Sequence, residues 1–333
     1  MGPTAWFGSP KRCTASVRDN PESEMRKKCL DMVLALARQD ERVWFVGSDL
    51  GFRTMNEFRN EFPDRFVMEG ICEQNTVGLA AGLALEGNIP FVNTIATFIV
   101  RRAFEQVAMD ACLHDLPVRF IGNGGGLVYA PLGSTHLAVE DISLMRALPN
   151  MTIVCPADAE EMERFMKTTL DWPHPIYIRL AKGYDPVVTD PGHEFVIGRS
   201  YRYGGDGEAL LVTTGIGLRC CKEATALLEK DGIVASILYM PTVKPLDVEG
   251  LCAAAVDKKA VVSVEEHTIL GGLGSAVAET LMEARLGGVP FKRIGLPDIY
   301  PDHYGTQHKI MERYGISPTG IASTVKSLLG WRE

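Results

Sequence analysis

The chain has 333 residues, of which 46% are hydrophobic and 23% charged, which is an ordinary globular composition with enough chain for two domains. The formal net charge is -8 without any basic stripe, and this excludes a nucleic-acid partner. No apolar run approaches the roughly 20 residues that cross a bilayer, and the first twenty residues lack the apolar stretch of a signal peptide, so we expect no membrane partner and a cytoplasmic location.

Cysteine and histidine spacing argues against a metal site within this chain. The eight cysteines show no Cys-x-x-Cys spacing, and the seven histidines form no His-x-x-x-His pair. We therefore expect reduced, mostly buried thiols and no metal ligands.

The first part of the chain alternates amphipathic helices with apolar strands. Near-continuous apolar strands that alternate with helices are typical of a mostly parallel sheet covered on both faces. The predicted helices cover residues 22–39, 76–87, 102–114, 139–148 and 159–170, and the predicted strands cover residues 42–50, 65–71, 89–96, 117–123, 151–157 and 175–180.

A second series of the same kind follows a Pro-, Asp- and Gly-rich stretch. It has predicted strands at 208–215, 233–240, 260–267 and 290–296, with helices at 218–232 and 273–286 and a last helix through Trp331. The sequence thus predicts an α/β protein of two domains, each a mostly parallel sheet flanked by helices. We place the first domain at 20–185, a linker at 186–200 and the second domain at 201–333.

The stretch from Glu69 to Val107 carries the most information about function. Glu73 follows a predicted strand at the start of a helix whose first turns are almost all glycine and alanine. An isolated glutamate there would usually complement the helix dipole, and small residues would simply allow close helix packing. The order of several motifs, rather than this acid alone, distinguishes the alternatives.

That order resembles the transketolase family. The block EGICEQNTVGLAAGLALEG, followed by the ATF element, is similar to the pyrimidine-binding domain of transketolase and of deoxyxylulose-phosphate synthase. The run GSTHLAVEDISLMRALPNM continues the resemblance, which covers the chain from about Arg26 to its C-terminus. It implies a pyrimidine-binding domain followed by the family's C-terminal domain, for which we expect a structural and oligomeric role.

The resemblance implies a site for the aminopyrimidine ring of thiamine diphosphate. Proton transfer by this cofactor requires a carboxyl group bonded to the ring nitrogen N1', and Glu73 is the candidate. Phe98 would pack against the ring, and Phe104 is either a second wall of that pocket or a core aromatic. Asp49 matches an acidic residue near the cationic thiazolium, where an anion is favourable.

The resemblance also implies substrate contacts. His136, in the Gly-Ser-Thr-His run, would bond substrate oxygens and stabilise developing charge. Arg26 and Arg179 match arginines that hold a sugar phosphate, a role that suits a forked cation. Arg102 matches an arginine of the deoxyxylulose-phosphate synthase branch and is a further substrate-binding candidate.

Two features depart from the family pattern. Pro131 and Leu132 stand where an acidic residue usually contacts a substrate hydroxyl, and glycines at 124–126 replace a common His or Arg phosphate contact.

The family's magnesium motif, Gly-Asp-Gly followed by an asparagine, is incomplete, because no asparagine follows Asn150. We interpret Gly205-Asp206-Gly207 as a turn and expect Mg²⁺ and the diphosphate to be held by a partner subunit with hard oxygen ligands.

Three functions are compatible with these residues. The favoured one is the beta-type subunit of a split transketolase, which transfers a two-carbon ketol unit between small sugar or sugar-phosphate substrates in a heterotetramer with two copies of a diphosphate-binding subunit. The alternatives are pyruvate-dependent acyl transfer, as in deoxyxylulose-phosphate synthase or the beta subunit of a 2-oxoacid dehydrogenase, and a non-catalytic scaffold subunit.

Overall fold

The computed structural model describes residues 24–50, 54–181, 186–302 and 304–331. In these ranges the chain forms two mostly parallel sheets, one of seven strands and one of five, with helices packed on them. This confirms the predicted α/β architecture. None of the helices in these ranges is both long and apolar enough to cross a bilayer.

The seven-stranded sheet is parallel except at one edge. Its spatial order is β10-β5-β6-β4-β3-β1-β2, and only β10 runs antiparallel to its neighbour β5. The strands are β1 Val43–Gly47, β2 Phe66–Met68, β3 Ile89–Ile95, β4 Arg119–Asn123, β5 Thr152–Val154, β6 Ile176–Leu180 and β10 Thr242–Lys244.

The helices of the first part lie between these strands. Their apolar faces meet the sheet, as the hydrophobic spacing predicts. They are α1 Met25–Gln39, α2 Asn56–Glu61, α3 Glu73–Leu85, α4 Phe104–Gln106, α5 Asp141–Arg146 and α6 Ala159–Met166.

The five-stranded sheet has the order β12-β11-β8-β9-β7, with β7 antiparallel to β9. Its strands are β7 Tyr201–Gly204, β8 Ala209–Thr213, β9 Ala235–Tyr239, β11 Ala260–Thr268 and β12 Phe291–Leu296. The accompanying helices are α7 Gly217–Lys230, α8 Val248–Ala255, α9 Leu273–Glu283, α10 Gln307–Arg313 and α11 Pro318–Leu328.

The structure departs from the predicted elements in two informative places. The predicted helix over 102–114 is a short α4 between two π-helical segments, Phe98–Arg102 and Val107–Cys112. The strand β10 belongs by sequence to the second series but hydrogen-bonds to β5 of the first sheet. The predicted linker at 186–200 stays a prediction. The pairing of β10 shows that a strand from the second half of the chain completes the sheet of the first half.

One hydrophobic core runs through both halves. A continuous cluster of buried side chains contains Ile142 and Met145 beside α9 residues Leu273 and Val277. An apolar interface of this kind holds two domains at a fixed orientation. The loops at the end of the first sheet therefore keep a constant position relative to the second half.

A buried acid adds a polar link between the halves. Glu161 of α6 accepts hydrogen bonds at Oε2 from the Tyr239 hydroxyl of β9, at 2.5 Å, and from the Ala157 N–H, at 2.7 Å. Burial raises the pKa of Glu161 to about 7, and these hydrogen bonds offset only part of the shift. Its folded-state pKa lies above its ordinary value of 4.5.

Glu161 therefore predicts a specific pH dependence of stability. The native state binds the proton more tightly than the unfolded state, so the stability that this group contributes is complete below pH 4.5 and is lost as the pH rises through 7. The loss is on the order of 1–3 kcal/mol. Urea unfolding between pH 5 and 8 should show a flatter profile for Glu161→Gln, whose carbonyl oxygen accepts both hydrogen bonds.

The neighbouring exposed Glu160 provides the matched control. Glu160→Gln should leave the wild-type pH profile unchanged. If wild type and Glu161→Gln show the same dependence of unfolding free energy on pH, Glu161 is not the group responsible for it.

Candidate active site

The carboxyl ends of the first sheet's strands form the platform of the site. In open parallel sheets ligands bind at this edge, because the loops that follow the strands meet there. A buried polar network joins the strand ends: Ser48 Oγ donates to Thr94 Oγ1 at 2.8 Å, and Asn123 Nδ2 donates to Asn93 Oδ1 at 2.7 Å. Sequence reasoning missed this network, although polar residues at the ends of apolar strands were its visible signal.

Glu73 is the first residue of α3, as predicted, and is only 1% exposed. Its Oε2 accepts a hydrogen bond from Arg102 Nη1 at 2.5 Å. The Arg102 guanidinium also lies 4.4 Å from the centroid of the Phe98 ring. The structure thus brings together Glu73, Phe98 and Arg102, which the sequence separates by up to 29 residues.

His136 completes this group from another loop. Its ring meets the Phe98 ring edge-on, with centroids 5.5 Å apart, and its Nδ1 lies 2.9 Å from Thr135 Oγ1. Arg101 holds the loop in place by pairing with Glu140 and by donating to the Ser134 carbonyl at 3.2 Å. Sequence reasoning assigned Arg101 no role, because its partners are distant along the chain.

The second half of the chain reaches this loop. Ser134 Oγ donates to the Pro301 carbonyl at 2.7 Å, and the Tyr304 ring packs against Gly133. Tyr304 is 77% exposed and Leu132 51% exposed, so both lie at the rim of the site. The C-terminal half therefore borders the loop that carries His136.

The glycines at 124–126 are required by what packs on them. A Cβ at Gly124 would lie 2.1 Å from the Tyr129 ring, and one at Gly125 would lie 2.5 Å from Arg179 Cγ. A larger side chain at either position would require Tyr129 or Arg179 to move. Burial raises the pKa of Tyr129, and Arg26 lies close to its hydroxyl. The two arginines predicted to hold a phosphate thus border the same loop.

Arg179 is buried beneath this loop with partners of its own. Its Nε donates to Asp141 Oδ2 at 2.8 Å, and its Nη2 donates to the Glu266 carbonyl at 2.8 Å. Burial is the largest single effect and opposes its charge, but the nearby Asp141 carboxylate, together with Cys155 and Glu266, raises the pKa of Arg179 above its ordinary value. The phosphate-holding role of Arg179 stays a prediction, as does that of Arg26, which pairs with Glu24 at 3.2 Å.

Two further candidates lie at or near the same edge. Asp49 follows β1 and is exposed, with the Ser48 hydroxyl 3.3 Å from its Oδ1. Phe104 is half-buried and packs against the hydrophobic core that the two halves share. That packing agrees with the interpretation of Phe104 as a core aromatic, while cofactor contacts by either residue stay predictions.

The Gly-Asp-Gly sequence lies in the turn between β7 and β8. Asp206 is highly exposed and pairs with Lys258 at 2.7 Å. Within the described ranges no group of three His, Cys, Asp or Glu side chains is placed to hold a metal ion.

The geometry thus groups a buried acid, an aromatic ring and a histidine at the carboxyl edge of a parallel sheet. Comparison with known families shows that residues 22–184 match the transketolase pyrimidine-binding domain, and residues 204–321 match the transketolase C-terminal domain. The chain belongs to the transketolase family.

Individual relatives cover almost the whole chain. A subunit of the apulose-4-phosphate transketolase of Phocaeicola vulgatus is 38% identical over 90% of this chain and 95% of its own length. A solved structure described as split gene transketolase, inactive beta4 tetramer, is 34% identical with a TM-score of 0.84, covering 93% of this chain and 99% of that one. The 1-deoxy-D-xylulose-5-phosphate synthase of Heliobacterium modesticaldum is 36% identical over 90% of this chain but only 46% of its own length.

Gly133 tests the contact between the two halves at the site. It has φ of 76°, and a Cβ there would lie 2.8 Å from Tyr304 Cε1. Gly133→Ala should lower the free energy of unfolding by about 2 kcal/mol, because alanine is strained at positive φ and displaces Tyr304.

The control is Gly82→Ala, at an exposed position in α3 where a Cβ meets no atom within 4 Å. It should stabilise the chain by about 0.5–1 kcal/mol. Urea denaturation measures both variants, and a Gly133→Ala protein as stable as wild type would contradict the described packing.

Proposed function

We propose that the chain is the pyrimidine-binding subunit of a split, thiamine diphosphate-dependent transketolase. The reaction is transfer of a two-carbon ketol unit between sugar or sugar-phosphate substrates. The observation that carries the proposal is the meeting of Glu73, Phe98 and His136 at one strand edge.

The residues present fit the aminopyrimidine end of the cofactor. The buried carboxylate of Glu73 already accepts a cationic N–H donor, and the Phe98 ring presents a face on which a planar group stacks. Thr97 Oγ1, just before Phe98, is buried and has no hydrogen-bond partner among the described residues. A buried polar atom without a partner is expected where a ligand completes the site.

Each side chain then has a definite task. When bound, thiamine diphosphate supplies a nucleophilic carbon whose formation depends on proton exchange at its aminopyrimidine ring. Glu73 would hold the proton shared with the ring nitrogen, and Phe98 would fix the plane of the ring. His136, in edge contact with Phe98, would donate a hydrogen bond to a substrate oxygen on which negative charge develops.

The diphosphate and Mg²⁺ are assigned to a separate polypeptide. Asp206 is engaged by Lys258 at an exposed turn, which supports the interpretation of Gly-Asp-Gly as structural. The relatives named as a transketolase subunit and as a split-gene transketolase support the division into two polypeptides. We propose a heterotetramer with two copies of each chain, in the cytoplasm, where unpaired thiols such as Cys29 and Cys155 stay reduced.

Partner dependence is directly measurable. Because this chain contributes only the pyrimidine contacts, calorimetric titration with thiamine diphosphate and Mg²⁺ should show no tight binding to the chain alone. Binding should appear when the chain is mixed with the diphosphate-domain subunit. Tight Mg²⁺-dependent binding to the isolated chain would refute the division of the site.

Glu73→Gln tests the catalytic assignment in the assembled enzyme. It preserves shape but cannot exchange the proton, so ketol transfer should fall by at least about a hundredfold while assembly, measured by gel filtration, stays intact. Glu86→Gln, an exposed glutamate at the other end of the same helix, should keep full activity.

The outcome also separates the competing functions. Unchanged turnover in Glu73→Gln would favour a non-catalytic scaffold. Release of carbon dioxide from pyruvate by the wild-type enzyme would favour acyl transfer of the deoxyxylulose-phosphate synthase type, because ketol transfer releases none. Ketol transfer is favoured here because a relative named as a transketolase subunit matches this chain over 95% of its own length.

A further inference from the structure

Arg102 makes the two contacts that the cofactor ring is expected to make. Its guanidinium is a planar group that lies 4.4 Å from the centre of the Phe98 ring. Through Nη1 it donates a hydrogen bond to Glu73 Oε2 at 2.5 Å. An aminopyrimidine bound at this site would be a planar ring over Phe98 with its nitrogen at the Glu73 carboxyl.

The arginine and the cofactor ring would use the same two groups, the Phe98 ring and the Glu73 carboxylate. The Phe98 ring is in T-shaped contact with His136, and the Arg102 guanidinium lies over it, so a planar ring placed on that same face would overlap the guanidinium. Glu73 is 1% exposed, so water does not solvate its carboxylate and a hydrogen-bond donor in the pocket must stabilise the charge. The guanidinium and the pyrimidine ring therefore compete for the same place.

The surroundings allow Arg102 to leave while the backbone stays fixed. Arg102 ends the π-helical segment Phe98–Arg102, and the preceding Arg101 anchors that segment to Glu140 and the Ser134 carbonyl. The Arg102 side chain is 42% exposed, so water can solvate it in another rotamer. Its contacts are accordingly modest, as expected for a half-exposed ion pair and cation–π contact.

We infer that Arg102 occupies the pyrimidine site of the cofactor-free protein and must swing out for thiamine diphosphate to bind. This inference rests on the proposed function and replaces a substrate contact as the main role of Arg102. The arginine keeps the buried Glu73 charge paired before the cofactor arrives, and it lowers cofactor affinity by the fraction of sites that it closes.

The test is calorimetric titration of thiamine diphosphate with Mg²⁺ into the complex of this chain and its diphosphate-domain subunit. Arg102→Ala should lower the Kd by roughly five- to tenfold, since the competing group is gone. It should also lower the Tm of the cofactor-free complex, because Glu73 loses its partner, and enlarge the Tm increase on cofactor binding. A purely structural arginine would lower the Tm without tightening binding.

Two further variants make the result decisive. Arg102→Lys keeps the charge but not the planar stack, so its Kd should lie between those of wild type and Arg102→Ala. It also serves as the test if the alanine variant does not assemble.

Arg65→Ala is the matched control, because Arg65 also lies over a phenylalanine ring, that of Phe62 at 4.0 Å, but at the amino end of β2, away from the carboxyl edge that carries the site. It should lower the Tm and leave the Kd unchanged.

The outcomes distinguish the two levels of the proposal. If the wild-type complex binds thiamine diphosphate and the Arg102 variants bind equally or more weakly, the inference is overturned and the proposed function stands. If no complex binds the cofactor, the proposed function fails and the inference fails with it.

Discussion

The structure depends on a carboxylate that is buried before any cofactor is present. Glu73, in the first turn of α3, is 1% exposed. Burying its charge costs folding free energy unless a cationic or N–H donor pairs with the carboxylate. Arg102 supplies that donor. The same requirement for a partner explains why a cofactor nitrogen would be bound strongly at this position and why the neighbouring ring of Phe98 determines the plane in which it lies.

The fold keeps this arrangement rigid. Parallel strands direct the loops after β1, β3 and β4 to one edge, and hydrogen bonds among Ser48, Thr94, Asn93 and Asn123 hold the strand ends together. A core shared between the two halves then fixes the second half against the first. As a result, Tyr304, which is distant in sequence, lies at the loop that precedes His136. The departure from the family at Pro131 and Leu132 thus coincides with a rim built from both halves.

Much of this organisation follows from hydrophobic periodicity and motif order. The alternation of apolar strands and amphipathic helices gives both parallel sheets, and the position of Glu73 at a helix start follows from its place after an apolar strand. Strand β10 could not be predicted, because three residues between Pro241 and Pro245 carry no periodic signal. Its pairing with β5 is determined by contacts between distant parts of the chain.

The contacts of the arginines were equally inaccessible. A π-helical segment changes the direction of each following side chain relative to a regular helix, so a 3.6-residue period does not predict that Arg102 reaches Glu73. The burial of Arg179 against Asp141 likewise depends on two strands and a helix that meet only in the folded chain. Sequence motifs identified the candidate residues, whereas their partners had to come from the structure.

A crystal structure of the chain assembled with its diphosphate-domain subunit, thiamine diphosphate and Mg²⁺ tests the central claim most directly. We expect a Glu73 carboxyl oxygen at hydrogen-bonding distance from the pyrimidine N1', with the ring over Phe98 and the guanidinium of Arg102 displaced. A pyrimidine ring bound away from Glu73, or a pocket still filled by protein side chains, would contradict this claim.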